Sequence, residues 1–84
     1  MLVIMANSSK QYVVGLRQIR KELKKDNLSV IIVAEDADRH YHEQLARLAA
    51  EYGVPLSVRG TKRSIAANFG IDVESAGVGV LKQQ

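Results

Sequence analysis

Leu28-Ser-Val-Ile-Ile-Val-Ala-Glu-Asp-Ala-Asp38 decides the fold of this 84-residue chain. Its apolar half is the most hydrophobic run present, and it turns acidic within two residues. Val30, Ile31, Ile32 and Val33 are β-branched and consecutive rather than alternating, which predicts a strand covered on both faces, in a sheet between two helical layers. Asp36 and Asp38 are expected to N-cap the amphipathic segment that follows. In open α/β sheets binding surfaces gather where such strands end, so a site is expected near Glu35 to Asp38.

Working outward, Gln11 to Val14 reads as a short strand that Gly15 ends while opening a helix from Leu16 to about Lys25. Leu16, Ile19 and Leu23 make its apolar stripe, Lys24 and Lys25 suit its C-terminal dipole, and Asn27 is the expected left-handed cap. Downstream, a helix from Arg39 or His40 to Tyr52 places Tyr41, Leu45, Leu48 and Tyr52 on one side and stops at Gly53. Pro55 to Val58 is a short strand. Thr61 caps a third helix, in which Ile65 and Phe69 face inward and Gly70 is the exit. Ala76 to Leu81 closes the chain as a strand whose two glycines imply close packing. The order β-α-β-α-β-α-β predicts an α/β fold, a three-layer α/β/α sandwich with one mixed, roughly four-stranded sheet.

A chain of this length buries only roughly 60 to 65% of its unfolded surface, so one core has to serve a single domain, residues 1–84. Residues 1–9 are expected to be a flexible extension, and either Met1 or Met5 suits the biological start. There is no cysteine, hence neither a disulfide framework nor a thiolate metal site. The opening Met1-Leu-Val-Ile-Met5 lacks a basic flank and is too short for a secretory or membrane segment, which points to a cytoplasmic protein. Net charge is +3, from 12 Lys plus Arg against 9 Asp plus Glu. That balance permits a polyanionic partner, and two basic clusters, Arg17 to Lys25 and Arg59 to Arg63, are candidates for one face.

Three stretches can carry chemistry. In Gly15-Leu-Arg-Gln-Ile-Arg-Lys21 the residues Arg17, Gln18 and Lys21 of the first turns project together beside the expected free amides of Gly15 to Gln18 at a helix N-terminus, a donor-rich tip suited to phosphates and base edges. Most such charge runs are solvated faces. Glu35, Asp36 and Asp38 present too few converging oxygens for a hard metal, and capping accounts for the aspartates. His40 and His42 diverge by about 200° on a helix and cannot share a metal. Ile71-Asp-Val-Glu-Ser75 is a loop with two apolar residues, which either docks on the core or contacts a partner. No phosphate loop, nucleophile elbow, triad or paired-carboxylate spacing is present, so a non-catalytic protein without cofactor is expected.

Taken together, Gly15-Leu-Arg-Gln-Ile-Arg-Lys21, Val33-Ala-Glu-Asp-Ala-Asp38, Gly53-Val-Pro55, Thr61-Lys62 and Phe69-Gly70-Ile71 resemble the kink-turn RNA-binding family. This is the family of the archaeal large-subunit ribosomal protein seven-Ae and its thirty-e relatives. The resemblance spans about Gln11 to Leu81 and is greatest to the small stand-alone bacterial members. It implies an RNA partner, with Gly15, Leu16, Arg17, Gln18 and Lys21 forming the tip that enters a widened groove and bonds the guanine edges of tandem sheared G·A pairs. It implies, further, that Glu35, Asp38 and His42 on one side and Ile71, Asp72 and Val73 on the other hold a flipped-out nucleotide, and that Lys62 touches phosphate. Arg17 stands where many members have Asn, Ala66 where glycine is common, and His42 where an aliphatic residue often packs on the flipped base.

The expected function is therefore that of a monomeric, ribosomal-protein-like module binding kink-turn RNA, ribosomal or riboswitch. The alternative is a protein-interaction module on the same fold that docks a partner through the Ile71 to Val73 loop. A small-molecule or metal site at Glu35 to Asp38 is a weaker third reading.

Overall fold

The structure, a computed structural model, describes residues 11–70 and 75–82. The expected extension 1–9 and the Ile71 to Val73 loop lie outside the described residues. Among the described residues seven elements follow one another: β1 (Tyr12–Val14), α1 (Leu16–Lys24), β2 (Leu28–Val33), α2 (Arg39–Tyr52), β3 (Leu56–Val58), α3 (Lys62–Phe69) and β4 (Gly77–Leu81). The four strands form one sheet in the order β1-β4-β2-β3. The β1/β4 and β2/β4 pairs are antiparallel, whereas β2 and β3 run parallel, joined by the α2 crossover. The sheet is therefore mixed, as expected.

Strand β2 is buried from both sides. Leu28, Ile31 and Val33 pack with Ile19 and Leu23 of α1 and with Leu45 and Ala49 of α2. On the opposite face Ile32 and the following Ala34 pack with Ile65 of α3 and Val78 of β4. The consecutive β-branched residues thus divide between two cores, giving the three-layer α/β/α sandwich; Val30, nearer the strand's start, is half-buried. Tyr12 and Phe69 join β1 to α3 through an edge-to-face ring contact at 5.0 Å, and the Tyr12 hydroxyl donates to the Phe69 carbonyl.

Both glycines of β4 are sites of close approach. A Cβ on Gly79 would lie 3.0 Å from Leu28 Cδ1, and one on Gly77 would lie 2.8 Å from the Tyr41 hydroxyl and 2.9 Å from Leu45 Cδ1. With no side chain at either position, α1 and α2 settle directly onto the strand.

Three expectations are corrected. The left-handed residue after α1 is Asp26, at φ 55°, not Asn27. Asn27 follows it and returns its amide to the Glu22 carbonyl at 3.0 Å while its side-chain Nδ2 donates to Glu22 Oε1 at 2.9 Å. This is a Schellman closure, in which the residue after the left-handed one makes the long return bond, and Asp tolerates that backbone nearly as well as Asn. Tyr52 is 38% exposed and does not belong to the buried side of α2; Ala49, 4% exposed, takes the inward position instead. A phenol in a helix's last turn keeps its hydroxyl in water, whereas alanine lets the helix approach the sheet. Asp36 does not cap α2, and its actual partner belongs to the site.

Candidate functional site

Sheet register brings the candidate residues to one edge. Val33 pairs with Val58 on one side and with Gly77 on the other, and Val14 pairs with Val78. The ends of β1, β2 and β3 and the start of β4 therefore lie side by side, and α1, α2 and α3 all begin there. Each helix presents unsatisfied amides and the positive end of its dipole to this edge.

Two of the three helix starts are met by carboxylates. Asp38 N-caps α2, its Oδ2 accepting from the His40 amide at 3.1 Å and the Tyr41 amide at 3.4 Å. Thr61 caps α3 in a capping box with Ser64, whose amide donates to Thr61 Oγ1 at 3.1 Å while Ser64 Oγ accepts from the Thr61 amide at 2.8 Å. Asp36 reaches across from the β2 turn to accept from the Lys62 amide at 2.9 Å. Asp36 thus serves α3 rather than α2, because the turn after β2 lies against the start of α3 across the parallel β2/β3 pair. The two aspartates of the acidic run are thus taken up as helix caps, whereas Glu35 is exposed.

The third start differs. Gly15 at the head of α1 has φ 92° and ψ 156°, a conformation open essentially only to glycine, and it supplies no capping side chain. The first turn holds no acidic residue. Arg17, Gln18 and Lys21 are exposed around it. The Gly15 amide is not free as expected, since it donates to the Gly77 carbonyl at 3.1 Å. The bond leaves the helix N-terminus open while fixing its position against β4.

Around this tip the loops are cross-braced. Ala34 donates to the Ala76 carbonyl at 2.8 Å, Glu35 to the Gly60 carbonyl at 2.7 Å and Arg59 to the Val33 carbonyl at 3.0 Å. Ser75 is buried, donating through Oγ to the Gly77 carbonyl at 3.0 Å and accepting from the Gly77 amide at 3.4 Å. Tyr41 sits at the joint of α1, α2 and β4. Burial pushes its hydroxyl's pKa above the usual 10.0, and a hydrogen bond from the Leu16 backbone opposes that shift.

Of the residues singled out in sequence, the structure places Gly15, Leu16, Arg17 and Gln18 at the α1 tip with Lys21 one turn on, Glu35 and Asp38 in the β2 turn, His42 half-buried in the first turn of α2, and Lys62 half-buried at the start of α3. Ile71, Asp72 and Val73 lie outside the described residues, in the segment that enters β4 through Ser75 and Ala76. Sequence reasoning missed Tyr41 and Ser75 as braces of the site. The glycine at position 77 of the closing strand, which implies close packing, is the sequence signal for Tyr41, whereas Ser75 has no local one. Among the described residues no group of three or more His, Cys, Asp and Glu is arranged to hold a metal ion, and no helix is long and apolar enough to cross a membrane.

Comparison with known proteins gives the fold and the family. The sequence profile of the ribosomal protein L7Ae/L30e/S12e/Gadd45 family matches residues 2–84. An RNA-binding protein of Bacillus pumilus (strain SAFR-032) is 31% identical over 75 residues, 89% of this chain and 92% of the relative. An RNA-binding protein of Staphylococcus aureus (strain JH9) is 30% identical over 75 residues, 89% of each chain. Among solved structures, a Bacillus halodurans protein of unknown function superposes with a TM-score of 0.82 at 23% identity, covering 93% of this chain and 78% of that one. The Giardia lamblia 15.5kD RNA binding protein does so with a TM-score of 0.81 at 20% identity, covering 92% and 65%. These two likenesses are of fold alone. The profile match over residues 2–84 and the two bacterial sequence relatives place the chain in the ribosomal protein L7Ae/L30e/S12e/Gadd45 family.

Proposed function

We propose that the chain is a non-catalytic RNA-binding module that recognises or stabilises kink-turn RNA. One observation carries the reading: of three helix N-termini at one sheet edge, those of α2 and α3 are met by Asp38 and Asp36, while α1 begins on Gly15 and shows Arg17, Gln18 and Lys21 to solvent. The remaining positive helix end suits an anionic partner. Gln18 offers donor and acceptor to a base edge, and Arg17 and Lys21 suit a guanine's O6 and N7. The RNA-binding names of the bacterial relatives favour the same class of partner.

In this reading the tip that begins at Gly15 and Leu16 enters the widened groove, and Arg17, Gln18 and Lys21 read tandem sheared G·A pairs. Glu35, Asp38 and His42 face Ile71, Asp72 and Val73 across a flipped-out nucleotide, and Lys62 contacts phosphate. Such readout of an irregular RNA shape through few bases is the common mode where a regular A-form groove is too narrow to read.

The test is titration of a kink-turn duplex against the same duplex with its G·A pairs replaced by Watson–Crick pairs, at two salt concentrations. Tight binding to the first alone is expected. Equal, salt-sensitive binding to both duplexes would overturn kink recognition, and absence of RNA binding would favour a protein partner at the loop before β4.

A further inference from the structure

Helix α1 has a second polar edge that reading of bases at its tip does not use. Arg17, Arg20, Lys21 and Lys24 are all exposed, while Leu16, Ile19 and Leu23 pack toward the sheet. At about 100° per residue the four cations fall within an arc of about 100° and cover about 10 Å of helix axis. Gln18 lies outside that arc, pointing about 160° away from Arg20. The helix therefore separates a Gln18 side from an Arg20–Lys24 side.

The local acids do not neutralise this stripe. Glu22 accepts from Asn27 Nδ2 at 2.9 Å, and Asp26 pairs with Lys82 Nζ at 3.1 Å. Among the described residues none of Arg17, Arg20, Lys21 and Lys24 makes an ion pair. Like charges three and four positions apart disfavour a helix, so the stripe is a local liability that an external row of anions relieves. No apolar side chain accompanies it on the exposed arc, which argues against insertion into a lipid surface.

We infer that the Arg20–Lys24 edge of α1 lies along the phosphodiester backbone of the RNA stem beside the groove that the α1 tip enters, a contact that adds affinity without reading sequence. This rests on the RNA reading above. It places two residues, Arg20 and Lys24, in the interface, and it separates their role from that of Gln18, since phosphate contacts position a protein while base contacts specify.

The experiment compares wild type, the Arg20→Gln/Lys24→Gln double variant and Arg47→Gln, an exposed charge on α2, for binding to the kinked and Watson–Crick duplexes across a salt series. Both edited positions are exposed, so circular dichroism should show a folded double variant whose thermal midpoint is no lower than that of wild type, since two like charges are removed from the stripe. The double variant is expected to bind both duplexes at least about tenfold more weakly at low salt, with the kinked-to-control ratio kept within about twofold and the slope of log K against log salt reduced by about two. Arg47→Gln should change the slope by less than about half a unit. An unchanged slope in the double variant, or one reduced no more per charge than by Arg47→Gln, overturns the inference. So does wild-type binding to phosphatidylglycerol vesicles that the double variant loses while its RNA slope stays put, which would assign the stripe to a membrane. If the slope falls as expected but wild type binds both duplexes equally, kink recognition fails and the phosphate contact stands.

Discussion

The Gly15 amide donates to the Gly77 carbonyl at 3.1 Å, which ties the head of α1 to the first residue of β4. The same carbonyl accepts from the buried Ser75 hydroxyl at 3.0 Å. Strand β4 begins just after the segment expected to flank a flipped nucleotide. The Gly77 carbonyl thus links the head of α1 to the buried Ser75 at the entry to β4.

Gly77 is the most constrained position in that joint. An alanine there would bring its Cβ to 2.8 Å from the Tyr41 hydroxyl and 2.9 Å from Leu45 Cδ1, and overpacking of this kind costs about 1–3 kcal/mol. Gly77→Ala should lower the unfolding free energy measured by urea titration by that amount. Adding Tyr41→Phe removes the nearer obstacle and should restore part of the loss, leaving the Leu45 contact. If the double variant is no more stable than Gly77→Ala alone, the hydroxyl is not what limits the site.

Asp36 and Asp38 look equivalent in sequence, yet they cap different helices. Loss of an N-capping acceptor costs about 0.5–2 kcal/mol. Asp38→Ala should therefore raise amide hydrogen exchange at His40 and Tyr41, whereas Asp36→Ala should raise it at Lys62 and leave His40 unchanged. The reverse pattern would return Asp36 to α2.

Those two aspartates also show where the sequence is legible. Elements were readable because their signals are local: the β-branched run 30–33, Thr61 before an apolar period, and Gly53 and Gly70 at helix ends, both in the left-handed conformation. The α1 tip was readable for the same reason, as glycine followed by exposed polar residues. What escaped reading is set by register between segments far apart in the chain. Asp36 finds Lys62 26 positions away, and Gly15 finds Gly77 through the β1/β4 pairing. Asn27 was displaced as the left-handed residue by Asp26, a one-residue shift between two side chains that tolerate the same backbone.

Tyr41 gives a pH signature. Its folded-state pKa is raised above 10.0, chiefly by burial. The unfolded chain releases this proton first, so the contribution to stability is fully present below about pH 10 and is lost as pH rises through the folded value. The difference in denaturation midpoint between wild type and Tyr41→Phe should be flat from pH 8 to about 9.5 and should then shift against wild type as the pH is raised further. A flat difference to pH 11 would show that the hydroxyl is solvated equally in both states.

Binding variants separate base reading from charge. Gln18 and Lys21 flank the open N-terminus of α1, and loss of a base contact costs about 1–3 kcal/mol per residue. Gln18→Ala is uncharged throughout, so it should weaken binding to the kinked duplex and leave both the Watson–Crick control and the salt slope unchanged. Lys21→Ala should lower the preference for the kinked duplex and reduce the slope by about one, since it removes a base contact and a charge together. Lys62 is half-buried at the start of α3, and the Asp36 bond is to its backbone amide, so Lys62→Ala removes a charge without removing the cap. Its expected effect is a slope reduced by about one with the kinked-to-control ratio kept. Isothermal titration of the three variants at two salt concentrations checks all of this, and unchanged affinity in all three would remove the α1 tip and Lys62 from the interface.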